Sequence, residues 1–201
     1  KGIKQYYQEA LRSLKDLSLH LLDIIRNSTA AGARNIKVQI LAFSSEDELK
    51  FVIEDDGTGM DNELLERVTN PFTTTRTTRK IGMGIPLLKA SAEMSSGELK
   101  IDSVKGKGTI LSATFQISHI DRPPLGDIAS TMASLVAAEP EIEFILSLNS
   151  DNGSFKFDTV EIKEKLDGIP INEIEVVSWI KEYIEEGIKS IFGGVLDEID
   201  S

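Results

Sequence analysis

The sequence predicts an α+β fold, and two kinds of pattern support this prediction. Apolar and polar residues alternate over 36–43 and 49–55, and again over 99–104 and 109–117, as expected for two hairpins of half-buried strands. Between and after these pairs, apolar residues recur at helical spacing. We expect helices at residues 3–14, 16–32, 61–68, 84–95, 128–138, 160–166 and 172–192, and further strands at residues 142–148 and 155–159.

The composition excludes several classes of site. The chain has 201 residues and no cysteine, which rules out disulfides, thiolate metal sites and cysteine nucleophiles, and which is compatible with a reducing cytosol. No run approaches the roughly 20 apolar residues of a membrane-spanning helix, and residues 1–5 do not begin like a signal peptide. We therefore expect a cytoplasmic protein that does not bind a membrane.

The net charge of -11 lies in the C-terminal part of the chain. Residues 139–201 carry 16 acidic and 5 basic side chains, whereas residues 1–138 carry 17 of each. Because nucleic-acid phosphates bind clustered Lys and Arg, this charge distribution argues against nucleic acid as a partner. The proline-containing segment 121–126 is typical of a linker, and we place the domain boundary there. We predict three units: an N-terminal helix at 1–15, a first domain at 16–122 and a small acidic α+β domain at 123–201.

The first two predicted helices indicate different roles. The helix at 3–14 either packs on its own domain or joins two copies in a homodimer, and the sequence favours neither. In the next helix, Asp23, Asn27 and Ala31 are four residues apart and therefore form one stripe. An acid, an amide and a small residue in line suit a ligand site, although a polar stripe facing water has the same pattern.

The segment from Glu54 to Met60 ends a strand pattern with acidic residues and two glycines. Gly57 and Gly59 permit a turn with positive φ and a close approach of the backbone to a flat ligand. Because a carboxylate only accepts hydrogen bonds, Asp55 at the strand end suits an exocyclic amine such as that of adenine. Guanine presents a carbonyl oxygen at that place, so the site would reject it. Taken alone, the same residues also form ordinary turns.

Residues 70–83 follow neither the helix nor the strand period and contain Arg76, Arg79 and Lys80, so we predict a mobile, basic loop. Gly84 and the following proline suit the start of the next helix.

The motifs, in this order, resemble those of the GHKL superfamily. This is the nucleotide-binding fold shared by histidine kinases, DNA gyrase, mismatch-repair ATPases and one class of heat-shock chaperone. The resemblance covers about residues 17–116 and implies a two-layer α/β sandwich of Bergerat type. Its four motifs are similar to Asp23-Ile-Ile-Arg-Asn27, Asp55-Asp-Gly57-Thr-Gly59-Met60, Gly82-Met-Gly84-Ile-Pro-Leu and Gly106-Lys-Gly108-Thr109.

The resemblance implies that ATP and Mg²⁺ are the cofactors. Asp55 would accept the adenine amine, Thr109 would support that contact, and Asn27 would offer its amide oxygen to Mg²⁺. Asp23 would be the catalytic acid. The residues expected to bind the nucleotide are Asn27, Ala31, Asp55, Gly57, Gly59, Met60, Arg76, Gly82, Gly84 and Thr109. The sequence contains no Gly-x-x-x-x-Gly-Lys-Ser/Thr run, so a P-loop is excluded.

Two residues depart from the family pattern. Members that hydrolyse ATP commonly have glutamate at the position of Asp23, as the proposed general base. Aspartate shortens the side chain by one C–C bond, roughly 1.5 Å. Because a misplacement of about 1 Å can cost around 100-fold in rate, we do not expect efficient hydrolysis. Pro86 stands where a third glycine is usual and would stiffen the hinge of the loop.

Two further residues are predicted to be structural. His20 lacks the acidic residue that directly follows the phosphoacceptor in the usual kinase pattern, so we expect an ordinary helix histidine. Trp179 lies in the apolar pattern of the last helix, and we predict that it is a core residue rather than a ligand platform.

The leading hypothesis is therefore a histidine-kinase-like module that binds Mg-ATP and phosphorylates, or signals to, a separate protein. Two alternatives stay open: a conformational switch that ATP drives with slow hydrolysis, and an ATP sensor without catalysis.

Overall fold

The computed structural model describes residues 16–68 and 84–196. The predicted helix at 3–14 and the whole predicted basic loop at 70–83, with Arg76, Arg79, Lys80 and Gly82, lie outside these residues. The helices of the described residues are α1 (Leu17–Ala30), α2 (Asn62–Val68), α3 (Gly84–Met94), α4 (Ile128–Ala138), α5 (Thr159–Lys165) and α6 (Ile174–Phe192). The strands are β1 (Asn35–Phe43), β2 (Glu48–Asp55), β3 (Leu99–Val104), β4 (Gly108–Gln116), β5 (Glu143–Ser150) and β6 (Gly153–Asp158).

The strands form one six-stranded sheet in the order β3-β4-β2-β1-β5-β6. All neighbouring strands are antiparallel except β1 and β5, which are parallel. In β1 the residues Ile36, Val38, Ile40 and Ala42 are buried, whereas Lys37 on the opposite face is exposed. The buried apolar residues of the helices join the same cluster. The fold is therefore an α+β, two-layer sandwich, as predicted.

The start of α1 is fixed by a helix cap. The sequence allowed Asp16 or Ser18 as the capping residue, and the structure uses Asp16, whose Oδ1 accepts a hydrogen bond from the amide of Leu19 at 3.0 Å. The amide of Leu17 donates to the carbonyl of Pro124 at 2.9 Å, which ties the start of α1 to the segment before α4. These contacts hold α1 in register against the sheet, where its later turns reach the end of β2.

The region after residue 122 adds its strands to the same sheet. We predicted a separate small domain at 123–201, whereas β5 pairs with β1 along its whole length, with Ile36 opposite Phe144. Helix α4 packs against α1 and α6, and its side chains join the shared buried cluster. The domain boundary at residue 122 stays a prediction. The sheet and the buried core include residues from both sides of that position.

One core prediction was wrong. Trp179 is 48% exposed and stacks on Tyr183 with ring centroids 5.2 Å apart. The core face of α6 is formed instead by a neighbouring stripe that includes Ile180, Ile184 and Ile188. None of the helices within 16–68 and 84–196 is both long and apolar enough to span a membrane.

Candidate functional site

The carboxylate of Asp55, at the end of β2, is held by two donors. The hydroxyl of Ser28, buried on α1, donates to Oδ2 at 2.7 Å, and the amide of Gly57 donates to Oδ1 at 2.9 Å. Each carboxylate oxygen has a second acceptor site, so Asp55 can still accept a hydrogen bond from a ligand. The half-buried position of Asp55 leaves that second site accessible. The protein thus orients the Asp55 carboxylate but leaves it able to accept further hydrogen bonds.

The adjacent acid, Asp56, has a different role. Its Oδ1 accepts from the amides of Arg34 and Asn35 at 2.7 and 2.9 Å, and its Oδ2 accepts from the side chain of Asn35 at 2.7 Å. Burial opposes its ionisation, but the hydrogen bonds from Asn35 and Arg34 outweigh this effect, so the pKa of the Asp56 carboxyl lies below its usual range. Asp56 therefore ties the start of β1 to the end of β2, and Asp55 has more acceptor capacity left for a ligand than Asp56 has.

Thr109 lies directly across from Asp55 in the pairing of β2 with β4. Its hydroxyl is 2.9 Å from that of Ser103, and the Ser103 hydroxyl also accepts a hydrogen bond from the amide of Met60 at 2.8 Å. The hairpin of β3 and β4 is thereby connected to the turn that follows Asp55. The structure brings Asp55, Thr109 and Met60 to one edge of the sheet.

The two glycines after Asp55 do different things. Gly59 has a φ of +60°, and a Cβ at this position would lie 2.1 Å from the carbonyl oxygen of Val104. Gly57 does not have positive φ, contrary to expectation. A Cβ there would lie 2.9 Å from Oδ1 of Asp55 and 3.1 Å from the Cβ of Ala31. Gly59 therefore permits the turn. Gly57 has no side chain and so fits in the narrow space between Ala31 and Asp55.

Asp23 and Asn27 lie one turn apart on α1, as predicted, and both are half-buried. A Cβ built on Gly84 would lie 3.0 Å from the Cβ of Asp23 and 3.4 Å from its Oδ2. Gly84 is the first residue of α3, so the Asp23 carboxylate lies beside the N-terminus of that helix. Neither side chain has a hydrogen-bond or ion-pair partner among residues 16–68 and 84–196. Both are thus available to a ligand.

His20 is buried between α1 and α3. Its side chain is 1% exposed, its Nε2 is 3.3 Å from the hydroxyl of Ser91, and its Nδ1 has no partner within the described part of the chain. Burial lowers the pKa of His20 to about 4, against the opposing effect of Asp16. The imidazole is therefore neutral near pH 7 and closed to solvent, which agrees with the expected structural role.

Two residues of the site were missed from the sequence. Ser28 continues the buried stripe of Leu21, Ile24 and Ile25, and a polar residue in such a stripe needs a hydrogen-bond partner. That requirement could have identified it. Ser103 gives a weaker signal, because its contacts depend on the register of β3 against β4.

Six of the predicted site residues lie around the end of β2: Ala31, Asp55, Gly57, Gly59, Met60 and Thr109. Asp23 and Asn27 lie on the preceding turns of α1, and Gly84 lies beside Asp23. Arg76 and Gly82 lie outside the described part of the chain and are not placed. No group of three or more His, Cys, Asp or Glu within 16–68 and 84–196 is arranged to hold a metal ion.

Comparison with known proteins then identifies the family. A family model described as "Histidine kinase-, DNA gyrase B-, and HSP90-like ATPase" matches residues 11–119, which is more than half of the chain. The chain belongs to this ATPase family. The predicted resemblance to the GHKL superfamily is thereby confirmed. The residues of the site, from Asp23 to Thr109, lie inside the range that matches the ATPase family, whereas β5, β6 and helices α4, α5 and α6 lie beyond it.

Several curated proteins are similar to the ATPase region. The "Non-motile and phage-resistance protein" of Caulobacter vibrioides is 30% identical over 117 residues, covering 55% of this chain and 14% of that protein. "Histidine protein kinase DivJ" of the same bacterium is 29% identical over 110 residues, 53% of this chain and 18% of that protein. "Sporulation kinase C" of Bacillus subtilis is 28% identical over 96 residues, covering 48% of this chain and 22% of that protein. The chain thus spans less than a quarter of the length of these relatives.

Two solved structures show some likeness to the chain. One is the "N terminal domain of a DNA repair protein", with 14% identity and a TM-score of 0.48, covering 71% of this chain and 51% of that one. The other is the Aquifex aeolicus MutL ATPase domain complexed with ADP, with 15% identity and a TM-score of 0.40. The match covers 76% of this chain and 68% of that one.

Proposed function

We propose that the chain binds Mg-ATP at the sheet edge formed by Asp55 and Thr109, and that it phosphorylates, or signals to, a separate protein. One observation supports the proposal above others. The Asp55 carboxylate is fixed by Ser28 and Gly57 with acceptor capacity to spare, at the place where an ATPase of this family would hold a base.

The preference for adenine follows from the donor and acceptor pattern. Asp55 accepts hydrogen bonds only, and Thr109 opposite it can donate or accept. An amine on the base satisfies the carboxylate, whereas a carbonyl oxygen would leave two acceptors facing each other. A buried acceptor without a donor is costly, so we expect ATP to bind at least about 100-fold more tightly than GTP.

The residues of α1 and α3 fit a magnesium-bound triphosphate. Mg²⁺ prefers six oxygen ligands and takes only one or two from protein, the rest coming from phosphates and water. The Asn27 side chain would supply one such oxygen, and the amides at the N-terminus of α3 would favour a phosphate. When bound, the ion would neutralise charge on the phosphates. Asp23, beside the first residue of α3, is positioned to orient a nucleophile, either water or a partner side chain.

The proposal of a separate acceptor rests on His20. This histidine is buried and has its Nε2 against Ser91, so a phosphoryl group cannot reach it without opening α1 from α3. Relatives whose printed names are histidine protein kinase and sporulation kinase share the ATPase region with this chain. We therefore place the acceptor side chain on a partner protein.

Isothermal titration calorimetry with magnesium and a non-hydrolysable ATP analogue tests the binding. We expect saturable binding that Asp55→Asn weakens by at least about 100-fold, because the new amide group presents a donor to the adenine amine. Asp56→Asn is the matched control: it makes the same chemical change one residue away, and we expect it to affect stability rather than affinity. Lack of saturable binding by the unmodified protein would refute the proposal.

A sensor without catalysis is the second candidate, and the short side chain of Asp23 favours it. Incubation with ATP labelled in its γ-phosphate, with and without candidate partner proteins, separates the functions. Label on a partner supports the kinase. Free phosphate alone supports a conformational switch with slow hydrolysis, and ATP that binds but stays intact supports the sensor.

A further inference from the structure

A groove on the C-terminal region lies outside the range that matches the ATPase family. It has a volume of about 360 Å³, within the range of ligand pockets. Ile162 of α5 and Leu166, directly after α5, contribute apolar surface, and Trp179 and Tyr183 of α6 form an aromatic wall. The groove lies against β6, three strands away from the strand that carries Asp55, and is therefore separate from the nucleotide site.

The aromatic wall is ordered by ring contacts and half open to solvent. Trp179 and Tyr183 stack with an interplanar angle of 9°, and the other neighbour of Tyr183 is Phe155 of β6, with ring centroids 4.9 Å apart. Tyr183 thus contacts both rings, and its stack with Trp179 orients the indole. The indole is nevertheless 48% exposed. A large, pre-oriented aromatic surface left open to solvent is typical of binding sites, because it is buried at little cost in side-chain entropy.

The charges around the wall are mainly negative. Glu175 and Glu182 lie four residues before and three after Trp179, and Glu186 lies three after Tyr183, so these exposed glutamates flank the aromatic wall on the helix surface. Residues 156–186 contain nine acidic and four basic side chains, a net charge of -5.

The basic residues at the groove are distributed unevenly. Lys156 donates to Glu161 at 2.8 Å and lies 2.8 Å from a carboxylate oxygen of Asp158, so its charge is already neutralised. Lys165, on the α5 side, is the other cation among the described residues that line the groove. The α6 side therefore carries the attraction for cations.

We propose that this groove docks a basic, amphipathic segment of a partner protein. The segment inserts an apolar side chain against Leu166 and Trp179, while its Lys or Arg residues contact the glutamates of α6. The indole face adds a favourable interaction with a nearby cation. Lys165 repels cations from the α5 side and so gives the bound segment one orientation. An amphipathic helix laid into a hydrophobic groove is a common form of peptide recognition.

The full chain offers a direct readout, because Trp179 is its one tryptophan. The probe is a synthetic amphipathic peptide of Lys, Leu and Phe, about 12 residues long, or roughly three helical turns. A peptide with Glu in place of every Lys is the control. We expect the Lys peptide to change the emission of Trp179 saturably, with an affinity that falls as salt is added, and the Glu peptide to leave the emission unchanged.

Two matched variants place the binding on the groove. Glu182→Lys reverses a charge beside Trp179, and we expect it to weaken binding about tenfold. Glu185→Lys makes the same change two residues after Tyr183, on the other side of α6, and its effect should be less than about twofold. Trp179→Ala, followed with a labelled peptide, should weaken binding by about 30-fold, as expected for a central aromatic anchor.

Several results would overturn the proposal. Equal weakening by Glu182→Lys and Glu185→Lys would show general attraction to an acidic region. Unchanged affinity in Trp179→Ala, tighter binding of the Glu peptide, or the lack of a saturable change with the Lys peptide would each contradict the groove as the docking site. A Trp179 emission that depends on protein concentration without peptide would show that a second copy of the chain covers the groove instead.

Discussion

The hydroxyl of Ser28 donates to Oδ2 of Asp55 at 2.7 Å, joining the core face of α1 to the end of β2. The same hydroxyl is 3.3 Å from the carbonyl oxygen of Ile24, one turn earlier in the helix. The buried serine thus has a hydrogen-bond partner of its own. It also orients the carboxylate that, in our proposal, binds the adenine amine.

Replacing Ser28 by alanine should weaken nucleotide binding without preventing folding. The change removes one of the two hydrogen bonds to Asp55, and a hydrogen bond to a charged group contributes about 1.5–3 kcal/mol. We expect about tenfold weaker binding of magnesium and an ATP analogue, measured by calorimetry. Thr29→Ala is the control, since the Thr29 hydroxyl donates only to the carbonyl of Arg26, and it should bind as the unmodified protein does. Equal affinities in both variants would contradict the role of Ser28.

Gly108 should be far less replaceable than Gly106, although both have positive φ. A Cβ on Gly108 would lie 2.0 Å from the backbone carbonyl oxygen of Asp55, whereas a Cβ on Gly106 meets nothing within 4 Å. Gly106→Ala should therefore cost only the backbone strain, about 1–2 kcal/mol. Gly108→Ala also separates β4 from β2, and should lower the free energy of unfolding by about 3 kcal/mol or more. Urea denaturation of both variants measures the difference, and similar losses would be evidence against the tight contact.

The buried histidine makes stability depend on pH. The pKa of His20 is about 4 in the folded protein and 6.5 in the unfolded chain. Between these values the unfolded chain binds a proton that the folded protein does not, so the free energy of unfolding falls as the pH falls from 6.5 to about 4. The contribution is at most about 3 kcal/mol.

Urea denaturation of the unmodified protein and His20→Gln across this range isolates the contribution, since the carboxylates are common to both proteins. The difference in their free energies of unfolding should shift by 1 kcal/mol or more, in favour of the variant, as the pH falls. A difference that stays constant with pH would contradict the burial of the imidazole.

Much of the fold followed from local patterns in the sequence. Alternation and turn residues predicted both hairpins, because antiparallel neighbours in the chain pair through short connections. The parallel pairing of β5 with β1 did not follow, because a strand pattern states which face is buried but not which distant strand is its neighbour. The acidic region therefore looked like a separate domain, whereas its strands complete the same sheet.

The site was predictable where chemistry depends on residue type, and less so where it depends on contacts. Asp55 could be chosen from its place at a strand end, but the engagement of Asp56 by Asn35 was visible only in the structure. Helical spacing likewise placed Trp179 at the border of the apolar stripe without deciding which side it takes. Such border positions are decided by packing: Tyr183 of the same helix contacts Phe155 of β6, and Trp179 stacks on Tyr183 and stays half exposed.

Lengthening the acid beside α3 should show whether its reach limits turnover. Asp23 packs closely against Gly84, and Glu at this position extends the acid by roughly 1.5 Å. If the proposed site binds Mg-ATP, Asp23→Glu should raise the rate of phosphate release tenfold or more, since a misplaced base costs about 100-fold for 1 Å. Asp23→Asn should lower that rate, because it keeps the size but removes the base. Nucleotide affinity, measured in parallel, should change little in Asp23→Glu. A rate that stays at the level of the unmodified protein, with affinity intact, would mean that the length of this side chain is not what limits hydrolysis.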